Sequence, residues 1–85
     1  MQKFSYTVKD EVGIHARPAG LLVKEAKKYA SKITICKDGK SADAGKLMAV
    51  MALGVKCGQT VDVEIEGEDE AAAFEGMKAF FESTL

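Results

Sequence analysis

Tryptophan is absent from this chain of 85 residues, and proline and histidine occur once each, as Pro18 and His15. Cysteine is nearly as scarce, with Cys36 and Cys57 only. Two cysteines at that spacing and one histidine match neither a CxxC redox motif nor a zinc ligand set, so no metal is expected and both thiols read as reduced. No apolar run approaches the roughly 20 residues of a membrane-spanning helix. The first residues carry no apolar core of signal-peptide length, and Lys3 and Lys9 interrupt them. A soluble, cytoplasmic protein without membrane insertion is expected. The aromatics are two tyrosines and four phenylalanines, scattered rather than interleaved with basic residues. That excludes an evident stacking platform for nucleic acid.

The short chain itself sets limits. A domain of this size buries only about 60–65% of the surface its unfolded chain exposes. Residues 1–85 are therefore expected to form one domain, a monomer without cofactor. Chemistry belongs on its surface or in a complex rather than in a deep cavity.

Charge is present in near balance overall but divided along the chain. Up to Lys46 there are ten basic and five acidic residues, a net +5; beyond it two basic and eight acidic residues make −6. A basic half favours encounter with an acidic protein surface.

Periodicity outlines the elements. Residues 3–9 alternate, with Phe4, Tyr6 and Val8 on one side, as in a half-buried strand. Pro18 opens a helical pattern in which Ala19, Leu22, Val23, Ala26, Tyr29 and Ala30 recur at three- and four-residue steps. Lys32–Lys37 reads as a second strand, Asp38-Gly39 as a hairpin turn, and Lys40–Asp43 as a short third strand. Leu47–Leu53 is a short apolar helix closed by Gly54. Thr60–Glu66 alternates most cleanly, and Gly67 ends it. Glu68, Asp69 and Glu70 then load negative charge at the start of a last helix, whose apolar side is Ala73, Phe74, Met77, Phe80 and Phe81. The order β-α-β-β-α-β-α, with one-sided strands, predicts an α+β fold: an antiparallel sheet with helices on a single face.

The chemistry concentrates in Gly13-Ile14-His15-Ala16-Arg17-Pro18. An imidazole at a helix start meets unpaired backbone N–H groups and the positive end of the dipole. That environment opposes imidazolium and favours a neutral, nucleophilic ring. The same N–H groups bind phosphate oxygens, and the planar fork of Arg17 matches them. Pro18 is expected to hold Arg17 outside the helical region.

The segment GIHARPAGLLVKEA resembles the active-site segment of the HPr family, the histidine-containing phosphocarriers of the bacterial phosphoenolpyruvate:sugar phosphotransferase system. GKLMAVMALGV resembles that family's second helix, and IEGEDEAAA its final strand-to-helix junction. The resemblance implies an open-faced β-sandwich of four antiparallel strands and three helices. It implies that enzyme I, charged by phosphoenolpyruvate, phosphorylates Nδ1 of His15, and that the group passes to the IIA component of a sugar permease. Such a protein is a carrier rather than an enzyme. Ala16, Arg17 and Pro18 at the helix start would stabilise the phosphate. Gly20, Leu21, Lys24, Lys27, Lys46, Leu47, Met48 and Met51 would form the contact face for both partners, a flexible apolar patch ringed by lysines. Where many relatives from Gram-positive bacteria carry a regulatory serine, this sequence has Lys46, which has no hydroxyl to phosphorylate. Lysine cannot cap the short helix as serine can, so Asp43 or Gly45 is expected to do so.

Three other readings remain at this level. The same histidine chemistry serves a different relay, such as a nitrogen-related or dihydroxyacetone-kinase-linked one. A regulatory binding module on this fold needs no nucleophile such as His15. A free-standing enzyme needs a second catalytic group and a pocket, and neither is apparent.

Overall fold

A computed structural model describes residues 1–9 and 16–85, with Ala16 and Arg17 described by their backbone alone. Seven elements follow in the order expected: β1 (Gln2–Thr7), α1 (Ala16–Ala26), β2 (Lys32–Lys37), β3 (Lys40–Asp43), α2 (Leu47–Ala52), β4 (Thr60–Glu66) and α3 (Glu70–Thr84). The strands form one antiparallel sheet in the order β1-β4-β2-β3. The most regular strand, β4, is central. Its Val61, Val63 and Ile65 pair with Tyr6, Phe4 and Gln2 on one side, and Val63 and Ile65 with Ile35 and Ile33 on the other.

Alternation decides which face is covered. Val61, Val63, Ile65, Ile33, Ile35 and Ala42 turn inward and are buried. Their neighbours Lys3, Ser5, Thr7, Asp62 and Glu64 lie on the uncovered face, tied by Ser5–Asp62, Thr7–Thr60 and Lys3–Glu64 contacts. The helices supply Ala19, Leu22, Ala26, Val50, Ala73, Met77 and Phe81 to the core. Phe81 is its aromatic centre, edge-on to Phe4, Tyr6 and Phe80.

The turns follow from their residues. Asp38 and Gly39 both have positive φ, 49° and 80°, the pairing that a tight right-twisted hairpin demands. Gly67, at φ 154°, passes so close to the chain after α1 that an added Cβ would lie 2.6 Å from the Cα of Ser31. Asp69 completes this junction. Its carboxylate accepts the N–H groups of Ala30 and Ser31, each at 2.8 Å, and the Ser31 hydroxyl. The Ser31 hydroxyl and then the backbone N–H donors hold the Asp69 carboxyl below its ordinary value.

Two expectations about α1 are corrected. The helix ends at Ala26 rather than continuing to Ala30, because Tyr29 and Ala30 lie in the turn that Asp69 grips. Tyr29 packs against the core from that turn, so its apolar spacing reflects tertiary contact and not helix. Arg17 lies within the helix instead of ahead of it. Pro18 is buried at the third helical position, where its missing N–H has no intrahelical partner to lose. The helix runs two residues ahead of Pro18 despite the bias against helical geometry before proline. The first strand is also shorter than expected. Beyond Thr7, Val8 and Lys9 bond instead to Gln59, Gly58 and Leu85.

Candidate functional site

His15, together with Gly13 and Ile14, lies outside the described residues. What is described is the scaffold on either side of it. Upstream, Val8 N–H donates to Gln59 O at 2.9 Å, Gly58 N–H returns a bond to Val8 O at 2.8 Å, and Lys9 N–H donates to Leu85 O at 2.6 Å. Downstream, α1 starts at Ala16, and no acidic side chain occupies its first turn to neutralise the positive dipole end. Buried Pro18, Ala19 and Leu22 anchor that turn in the core.

The outward side of α1 carries Leu21 and Lys24, and Lys27 follows one residue after its end; they are three residues apart and all exposed. Gly20 lies beside them, half-buried. A Cβ built there meets no atom within 4 Å, so internal packing does not demand glycine. Alanine would favour this helix interior by about 1 kcal/mol. The missing methyl leaves room at the surface instead.

On α2, which packs against α1, the division is sharper. Val50 and Leu53 face the core at 0% and 7% exposure, whereas Leu47, Met48 and Met51 are 40%, 77% and 36% exposed. Leu21 is 44% exposed. Apart from Met1, these four are the exposed large hydrophobics among the described residues. Exposed Lys46 precedes them. Every described residue expected on the contact face except half-buried Gly20 is thus exposed, and all lie on the two adjoining helices or, for Lys27 and Lys46, one residue beyond them.

The cap expected for α2 is not formed. Lys46 occupies the N-cap position with extended backbone, and no side chain bonds to the helix start. Asp43 turns its carboxylate to the N–H of Gly45 at 2.8 Å, and its carbonyl accepts Lys46 N–H at 3.0 Å. Its short side chain is used in the turn before the helix, out of reach of the first helical N–H groups. One cation-binding feature was not foreseen. Lys37 reaches from the end of β2 to the other end of α2 and donates to Leu53 O at 3.2 Å and Gly54 O at 3.1 Å.

The cysteines stand apart from this surface. Both are free; Cys36 is half-buried on β2 and Cys57 is exposed. Burial, then the Glu64 and Asp62 carboxylates, push the Cys36 thiol up from its ordinary value, so it stays protonated and weakly nucleophilic. No group of three or more His, Cys, Asp or Glu side chains among the described residues is placed to hold a metal ion. No helix among them is long and apolar enough to cross a membrane.

Comparison with known proteins gives a consistent result. Residues 2–83 match the family model PTS-HPr, described as the PTS HPr component phosphorylation site. The chain is 41% identical over 78 residues to the phosphocarrier protein HPr of Mycoplasma capricolum subsp. capricolum, covering 92% of this chain and 88% of that protein. It is 44% identical over 75 residues to the HPr-like protein Crh of Halalkalibacterium halodurans, covering 88% and 89%. Among solved structures, HPr-C-His from Thermoanaerobacter tengcongensis superimposes with a TM-score of 0.94 at 38% identity, over 99% of this chain and 94% of that one.

Proposed function

The chain belongs to the HPr family of phosphotransferase-system phosphocarriers, and on that premise we propose that His15 accepts a phosphoryl group from enzyme I and delivers it to the IIA component of a sugar permease. The observation that carries this reading is that α1, described from Ala16 onward, follows directly in the chain on its only histidine. The helix start offers backbone N–H groups and a positive dipole end, and no acidic side chain lies in its first turn. In the forward step, Nδ1 of neutral His15 attacks the phosphorus. The donor's bond to phosphorus breaks as the new P–N bond forms. The helix-start N–H groups and the Arg17 guanidinium hold the phosphoryl oxygens. In the second step the acceptor on IIA attacks the same phosphorus, and the imidazole leaves.

The exposed faces of α1 and α2 are the proposed docking surface for both partners. Leu21, Leu47, Met48 and Met51 supply the apolar centre, and Lys24, Lys27 and Lys46 the basic rim, which suits an acidic partner. Flexible methionines adapt to two different partners in turn. The protein acts as a cytoplasmic monomer and needs no cofactor, because the donor carries the energy of the phosphoryl group.

Incubation with enzyme I and labelled phosphoenolpyruvate tests the assignment. The expected result is acid-labile label on the wild type and none on His15→Ala. Equal labelling of both would move the acceptor elsewhere, and no labelling of either would favour a regulatory binding module.

A further inference from the structure

We infer that Lys37 is a positioning residue for the docking surface: it caps the C-terminal end of α2 and so sets how Leu47, Met48 and Met51 are presented. The inference rests on the docking reading above. It starts from the weakness of α2 as a helix. Six residues are too few to be stable alone. The N-terminal end has no side-chain cap, and a lysine stands at the cap position, where the dipole disfavours a cation. Burial of Val50 and of the C-cap residue Leu53 holds one side of the helix to the core, but it leaves the carbonyls of Leu53 and Gly54 without a donor from the helix itself.

That end is where Lys37 acts. Its ammonium donates to the carbonyls of Leu53 and Gly54, the residues that leave the helix. A cation is favoured there by the dipole, and both carbonyls lie beyond the helix's own bonding pattern. The residue's local setting gives it no other role. In the hairpin Lys37 stands directly across from Lys40, a like-charge pairing that is unfavourable in a strand pair. Turning its ammonium to α2 removes it from that repulsion. Lys37 makes no ion pair with a carboxylate among the described residues. The lysine therefore links the β2–β3 hairpin, part of the rigid sheet, to the helix that carries three of the four exposed apolar side chains.

Three variants test this. Lys37→Met keeps the length of the side chain and removes its donors; Lys37→Arg keeps them. Gly76→Ala serves as a destabilising control between α1 and α3. Amide hydrogen exchange and the kinetics of phosphorylation by enzyme I are measured well below each melting temperature. In Lys37→Met, exchange at residues 50–54 should rise about three- to tenfold above any change in β4, with a similar rise in KM and kcat within about twofold. Lys37→Arg should recover most of both, and Gly76→Ala should leave KM unchanged. Unaltered exchange in α2, or altered exchange with unaltered KM, would overturn the inference, as would a rise in KM for the control equal to that of Lys37→Met. If the wild type takes no label on His15, the carrier reading fails instead, while the exchange comparison still decides whether Lys37 caps the helix.

Discussion

Gly76 sits in the interior of α3, where glycine is less favourable than alanine by about 1 kcal/mol. Its neighbour explains it. The phenol of Tyr29 lies over this position, and a Cβ at residue 76 would overlap the phenol oxygen and come within 2.7 Å of its Cζ. Tyr29 in turn donates to Glu25 Oε2 at 3.1 Å, while Lys28 Nζ donates to Glu25 Oε1 at 3.0 Å. Partial burial, followed by the Glu25 carboxylate, pushes the Tyr29 hydroxyl up from its ordinary value, so it remains a donor throughout the neutral range. Two opposing terms therefore meet at residue 76. Alanine gains helix propensity but displaces a rigid ring from its seat, a misfit of about 1–3 kcal/mol. In the wild-type background Gly76→Ala should destabilise by about 1 kcal/mol, near 4–8 °C in Tm. With Tyr29→Ala already in place, the same change should stabilise by about 1 kcal/mol. A urea double-mutant cycle measures both, and the same sign in the two backgrounds would refute the account.

The elements show which features of a chain are legible without its structure. The limits of β2, β3 and β4 fall where the sequence indicates, because strict alternation and the Asp38-Gly39 turn are local signals. Leu21, Leu47, Met48 and Met51 were recognisable as surface residues because they lie off the buried stripe of short helices. The end of α1 was not legible. Tyr29 keeps helical spacing in a turn because it packs on α3, and the carboxylate that stops the helix comes from Asp69, 39 residues beyond Ala30. The Lys37 cap is hidden for the same reason, since no periodicity links a strand lysine to carbonyls 16 and 17 residues on. The motif around His15 marked a candidate site in the sequence, decided by the family resemblance, and His15 itself lies outside the described residues. The exposed basic start of α2 combines both kinds of information. Lysine at its cap position disfavours the helix, yet it adds to the basic rim of the proposed docking surface. Lys46→Asp should therefore act in opposite directions on the two properties. It supplies a cap and a charge that suits the dipole, raising stability by about 0.5–2 kcal/mol. It also places a carboxylate on the proposed docking surface for an acidic partner, and kcat/KM with enzyme I should then fall about three- to tenfold. Unfolding in urea and steady-state phosphorylation measure the pair. A rate that did not change would remove Lys46 from the docking surface.

Over the whole molecule, the charge division of the sequence is only partly a division in space, because the two halves meet in one sheet, where Lys3 lies 3.8 Å from Glu64 and Lys32 pairs with Glu66. The net negative half of the chain supplies β4 and α3, with exposed Glu66, Glu68, Glu75 and Glu82. The net positive half supplies α1 and the approach to α2, with exposed Lys24, Lys27 and Lys46. A net charge of −1 thus conceals a group of exposed lysines along α1 and before α2, on a body only 33 × 24 × 21 Å across. At about 0.01 M salt the screening length, roughly 30 Å, spans the molecule, so those lysines attract and orient an approaching acidic surface. At about 0.5 M it shrinks to a few ångströms, and that orienting effect disappears. Orientation before contact acts on association and not on the phosphoryl step. Between those salt concentrations kcat/KM with enzyme I should fall about tenfold, while kcat at saturation changes little. Replacing Lys24, Lys27 and Lys46 together by glutamine should lower kcat/KM at low salt and flatten its salt dependence, because the field that turns the basic helices toward the partner is then removed. A steep profile that survived the triple replacement would show that the charges guiding encounter lie elsewhere on the molecule.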